Sequence, residues 1–210
     1  MHIRSTSVKD QVYNEIKRRI LVGQYPFGFK ININALANEF GVSNSPIREA
    51  CSRLENDYLI TYSTNAGARV IMMNEQLYLN IADTMSILQQ GSYMYCLQRD
   101  RKELLVEIMT NCLESVRIAT QAEDKSKTLV SDNKYWSSFI EATGNHRFLE
   151  NSKKTFDLYQ LSEIYNHRNV TLNYPAIFLR DQKLLEHVIN DDYAEVTKSI
   201  FTYKIYHPHN

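Results

Sequence analysis

The sequence predicts a mainly α-helical protein in two parts: an N-terminal winged helix-turn-helix, residues 1–72, and a C-terminal all-α bundle of about six helices, residues 73–210. Three observations carry this. Residues 32–71 run helix, tight turn, helix and hairpin in that order. From Asn74 onward no strand-like run appears, and apolar residues recur at helical spacing. No Gly/Pro-rich linker separates the two parts.

Ser7-Val8-Lys9-Asp10 reads as a capping box opening the first helix. Val12, Ile16 and Ile20 form its apolar stripe, and Gly23 ends it. Lys17-Arg18-Arg19 reads as a solvated face, with phosphate contact the lesser alternative. Tyr25 to Lys30 is a turn. A short helix, Asn34 to Phe40, stops at Gly41, which tolerates a left-handed backbone. Ser43 is placed to cap the next helix, with Pro46 in its first turn, where a missing N–H costs nothing. Ile47, Ala50, Cys51 and Leu54 then share one buried face, while Asn44, Ser45, Arg48 and Ser52 lie opposite. Ile60–Ser63 and Ala68–Ile71, joined by Thr64-Asn65-Ala66-Gly67, read as a hairpin with glycine at its tip. A polar second helix followed by a hairpin has the form of a major-groove reader.

Those residues carry a family resemblance. A-L-A-x-x-F-G-V-S-x-S-P-I-R-E-A-x-x-R-L-E, with G-x-x-V at the wing, resembles the DNA-binding domain of the GntR family of bacterial transcription regulators, over about the first third of the chain. The resemblance implies that Arg48 contacts DNA. Asn34 and Asn44 stand where many relatives carry arginine. Arginine reads guanine O6 and N7, whereas asparagine pairs with adenine N6 and N7, each worth ~1–3 kcal/mol of discrimination. An operator with fewer guanine contacts is therefore expected; helix capping or phosphate contact is the alternative role for Asn44. Ser43 and Ser45 suit phosphate oxygens, and Gly67 lets the wing backbone approach a minor groove.

Charge supports this division of labour. Residues 1–72 hold nine Lys/Arg against six Asp/Glu, a net of +3, and the remainder balances at −3, so the chain is neutral overall. A basic front and an acidic back fit one end that meets nucleic acid and one that avoids it. The cysteines, Cys51, Cys96 and Cys112, have no metal spacing and read as reduced, buried thiols of a cytoplasmic protein. With no long apolar run, no membrane association is expected.

The second part reads as helices over about Asn74–Gln98, Arg101–Thr120, Lys125–Thr143, His146–Arg168, Tyr174–Ile189 and Asp191–Tyr206. Leu77, Ile81, Met85 and Leu88 form a core or dimer seam. Asp132 to Asn145 resembles the D-x-x-F-H-x-x-I-x-x-A-x-G-N signature of the FCD effector domain of the FadR subfamily. In that family an Asp, a His one turn later and two further histidines on the last two helices bind a divalent metal. Here Asp132 is kept, Trp136 replaces the histidine, and alignment on Asp192 puts Asp181 and Tyr203 at the other positions. Indole has no lone pair to give, so no metal or other cofactor is expected. A rival alignment uses His187 and His209, also 22 residues apart. Asp132, Trp136, Asp181 and Tyr203 would line an anionic cavity with aromatic walls, suited to a cationic or neutral polar effector. Alternatively, Trp136 fills the pocket and the domain only dimerises.

The sequence thus reads as a homodimeric, effector-responsive regulator, a repressor, acting on double-stranded operator DNA. A bundle enzyme using the carboxylate pair is the rival from another class. No nucleophile–base motif, Gly-rich phosphate loop or metal set supports it.

Overall fold

The computed structural model describes residues 7–63 and 67–202. The chain divides into two compact units, Met1–Asn74 and Glu75–Asn210.

In the first unit, helix α1 (Val8–Leu21) begins where Ser7 Oγ accepts the Asp10 N–H at 3.2 Å. It buries Val12, Ile16 and Ile20. Helix α2 (Ile33–Phe40) is capped by Asn32, whose Oδ1 accepts the Ala35 N–H at 3.0 Å. It ends at Gly41, whose φ of 65° is the left-handed turn a side chain would strain. Helix α3 (Asn44–Asn56) buries Ile47, Ala50, Cys51 and Leu54, each at most 1% exposed. A three-stranded antiparallel sheet completes the unit: β1 (Lys30–Ile31), β2 (Ile60–Ser63) and β3 (Gly67–Val70), in the order β1-β3-β2. The wing's tip, Thr64 to Ala66, lies outside the described residues.

Three sequence expectations change here. Lys30 and Ile31 form a strand rather than the end of a turn, paired with Arg69 and Ala68. Ser43 occupies the N-cap position of α3, but its side chain makes no capping hydrogen bond. Arg19 is largely withdrawn from solvent, its side chain 13% exposed. Its guanidinium holds Glu15 at 2.8 Å, Glu39 at 2.5 Å and the Tyr25 hydroxyl at 2.9 Å, so it ties α1 to α2.

The second unit consists of α4 (Glu75–Gln98), α5 (Lys102–Gln121), α6 (Lys125–Glu141), α7 (His146–Asn166), α8 (Tyr174–Ile189) and α9 (Tyr193–Thr202). Asp100, Glu123, Gly144 and Asp191, all at breaks read from the sequence, adopt positive φ. Asp124, Asn145 and Asn173 cap the helices that follow them through side-chain oxygens. Helix α6 is the central element. It packs against α4, α5, α7 and α8 and buries Tyr135, Trp136, Phe139 and Ile140. Two long-range bonds pin it: Gln89 Nε2 donates to the Trp136 carbonyl at 3.0 Å, and the Tyr135 hydroxyl donates to the Asp181 carbonyl at 2.6 Å. Cys51 and Cys96 are buried free thiols, and burial pushes both up to about 11; Cys112 is half-buried.

Candidate nucleic-acid interface and ligand cavity

The helix-turn-helix presents Asn34, Ser43, Asn44, Ser45 and Arg48 to solvent together. Burial of the Ile47/Ala50/Cys51/Leu54 stripe fixes the roll of α3, so the opposite stripe must face outward. Asn44 Nδ2 donates to Asn34 Oδ1 at 3.0 Å, which joins the two departures from the family pattern into one amide pair. Asn44 is the first residue of α3, one position past the N-cap, which Ser43 holds. Ser43, free of a capping bond, keeps its hydroxyl available to a phosphate oxygen.

Arg48 is exposed and reaches toward the wing, where Nη1 donates to the Tyr62 hydroxyl at 3.4 Å. Lys30 and Arg69 face each other across β1 and β3, both exposed, while the intervening Ile31, Ala68 and Val70 are buried. Arg69 Nη1 also donates to the Gly28 carbonyl at 3.2 Å. Gly67 has φ +77° and pairs with Ser63; among the described residues, a Cβ added there would lie 3.9 Å from the Lys30 side chain. Tyr62, Lys30 and Arg69 were not singled out from the sequence. Period-two alternation in β3 puts Arg69 outward, but Lys30 joins it only because a two-residue strand docks beside β3. A groove-sized helix, a hydroxyl-rich N-terminal turn and cations on an adjacent wing define a DNA-reading regulator domain.

The second unit contains a cavity of about 410 Å³ between α6, the 167–173 segment, α8 and α9. Asp132 and Trp136 line it; Tyr203 lies outside the described residues. Trp136 is 1% exposed and packed in the core, yet the space beside it remains. Asp181 is fully buried and not on the wall.

Arg180, not foreseen, changes the electrostatics. Its Nη2 lies 2.5 Å from Asp132 Oδ1 and 2.7 Å from Asp181 Oδ1, and its Nε donates to Asp181 at 2.8 Å. The cavity is therefore not the uncompensated anionic pocket expected from two aspartates. Burial, foremost, and the Asp132 carboxylate beside it raise the Asp181 carboxyl well above its usual range, although Arg180 opposes this. Arg180 also sits 5.7 Å from the Trp136 ring centroid, over its face. Adjacency in the chain could have flagged Arg180. Its bridge to Asp132 needs α6 and α8 side by side.

A metal does not fit these residues. Both carboxylates are engaged by a guanidinium, Trp136 offers no donor, and among the described residues no three His, Cys, Asp or Glu gather to hold an ion. In the rival alignment, His187 lies 3.1 Å from Asp192, which accepts the Glu195 N–H at the start of α9; His209 lies outside the described residues.

Comparison with known proteins agrees with the first unit. Residues 8–70 match the family "Bacterial regulatory proteins, gntR family", so this unit is a GntR-family helix-turn-helix domain. The chain is 29% identical over 146 residues to the gluconate operon transcriptional repressor of Bacillus subtilis (strain 168), covering 70% of this chain and 58% of that one. The match thus spans less than two thirds of that repressor's length. It is 22% identical over 151 residues to the HTH-type transcriptional repressor GlaR of Escherichia coli (strain K12), covering 70% and 68%. In fold it is similar to a GntR transcriptional regulator from Rhodococcus sp. RHA1, with a TM-score of 0.79 at 13% identity over 93% of each chain. The family match and both curated relatives are transcription regulators by their descriptions. Among the described residues no helix is long and apolar enough to cross a membrane.

Proposed function

We propose that the chain is a sequence-specific, homodimeric repressor of the FadR type, whose affinity for operator DNA responds to a small molecule held in its second, FCD-like unit. The observation that carries the DNA half is the exposed stripe Asn34–Ser43–Asn44–Ser45–Arg48, backed by Tyr62, Lys30 and Arg69 on the wing. The 410 Å³ cavity, within the size range of small-molecule sites, supports the effector half. Two copies fit a two-fold operator, with half-site spacing set by the dimer. Helix α4 supports a copy-to-copy contact: Ile87, 65% exposed, Gly91, open to solvent, and Tyr95, 36% exposed, fall at i, i+4 and i+8 along one face.

The effector acts only through differential affinity. It shifts DNA binding by the ratio of its affinities for the bound and released states, and DNA shifts effector binding by the same factor. The test begins with a random-sequence selection on the full chain, followed by fluorescence anisotropy on the enriched duplex with a metabolite library present. A palindromic site bound by two chains, with affinity altered at least about tenfold by some compound, is the expected result. Failure to enrich any sequence refutes the regulator reading; enrichment without any compound effect refutes the effector half.

A further inference from the structure

Two exposed asparagines from different helices meet on the outward stripe of the helix-turn-helix. Asn34 lies in the first turn of α2, and Asn44 opens α3. Asn32 caps α2 and Gly41 turns the chain at its end, while burial of Leu36, Ala37 and Ile47 fixes the roll of both helices. The backbone thus brings the two amides together before any DNA arrives, and Asn44 Nδ2 donates to Asn34 Oδ1 at 3.0 Å. A primary amide carries two N–H donors and one oxygen acceptor. The bond commits one N–H of Asn44 and leaves its oxygen and its second N–H. In the major groove adenine offers one acceptor, N7, and one donor group, N6, whereas guanine offers two acceptors, N7 and O6.

We infer that Asn34 is a positioning residue: by holding one N–H of Asn44 it makes the Asn44 amide a one-donor, one-acceptor reader of adenine, so the two asparagines read one base pair of each half-site together rather than two separately. The inference rests on the operator-binding reading above. An asparagine without such a partner turns easily about its terminal torsion, whose wells are broad, and offers its amino group to guanine as readily as its mixed edge to adenine. With Asn34 in place, guanine would have to break the amide–amide bond to gain a second donor, or set its O6 against Asn44 Oδ1, acceptor against acceptor. The bond also orders the Asn44 side chain in the free protein, so docking gives up less rotamer freedom.

The test uses the duplex that random-sequence selection enriches on the full wild-type chain. Each half-site position is replaced in turn by the other three base pairs, and the duplexes compete in fluorescence anisotropy at one fixed low salt concentration. Wild type should show a position where adenine is preferred to guanine by at least about tenfold and where Asn44→Ala removes that preference. Asn34→Ala should reduce the ratio at that same position to about threefold or less, leave the other positions as in wild type, and add nothing there on top of Asn44→Ala. Asn34→Asp keeps an acceptor for Asn44 and should keep the ratio, while its charge lowers affinity for every duplex alike. Both Asn34 variants change an exposed side chain, and circular dichroism checks their fold. An unchanged ratio in Asn34→Ala, a uniform loss at all positions, a changed preference at a position Asn44 does not sense, or an Asn34→Asp that loses the ratio as Asn34→Ala does overturns the paired reading and leaves the operator reading standing. So does a wild type with no adenine preference that depends on Asn44. A selection that enriches no sequence overturns both.

Discussion

Replacing Arg48 with alanine separates DNA reading from folding. Its side chain is exposed, and the one fold contact described for it is the 3.4 Å bond to the Tyr62 hydroxyl. A surface truncation of this kind changes stability by about 0.5 kcal/mol or less. The loss in DNA binding is larger. An arginine on a groove-facing helix contributes ~1–3 kcal/mol when it reads a base edge. Two heads on a palindrome double this to ~2–6 kcal/mol, or roughly 30-fold to 10⁴-fold in Kd. The assay is fluorescence anisotropy on the selected duplex and on a scrambled one, at fixed salt, beside thermal melts of both proteins. The expected outcome is near-complete loss of preference for the selected duplex with the melting curve unmoved. An undiminished affinity for the selected duplex, in a variant that melts like the wild type, would show that the reading face is assigned to the wrong side of α3.

Other substitutions probe the parts separately. Asn32→Ala removes an observed cap and should cost about 1 kcal/mol in denaturant titration, whereas Ser43→Ala, with no cap to lose, should cost less than about 0.5 kcal/mol yet weaken DNA binding. Leu54→Ala empties a fully buried site and should destabilise by ~2–5 kcal/mol, read as an early loss of helical signal in chemical denaturation. Glu15 is held at about 2, below its ordinary 4.5, by hydrogen bonds from Arg18 and then Arg19. Its contribution is therefore present above 4.5 and lost as pH falls toward about 2. With the Glu15 side chain 35% exposed, solvent screens the pairs. Glu15→Gln should cost well under about 1 kcal/mol at neutral pH, and the gap between the two denaturation midpoints should close on acidification.

Local rules made much of this protein legible in its amino-acid order. Apolar spacing located α1 through α9, because burying one stripe is the main stabilisation a helix of this length has. Asp, Asn and Gly marked the breaks, because their side chains, or the lack of one, suit caps and left-handed turns. The outward stripe of α3 followed from its buried one. Tertiary structure decided what lies far apart in sequence. Strand β1 exists because β3 offers an edge to Lys30 and Ile31, which no propensity of two residues could announce. Arg19 became a clamp because Glu39 of α2 meets α1. The cavity's charge turned on Arg180, whose guanidinium reaches Asp132, 48 positions away in the chain. Hydrophobic periodicity is a property of a segment and survives in one dimension. The partner of a buried charge is a property of packing, and only the folded chain determines it.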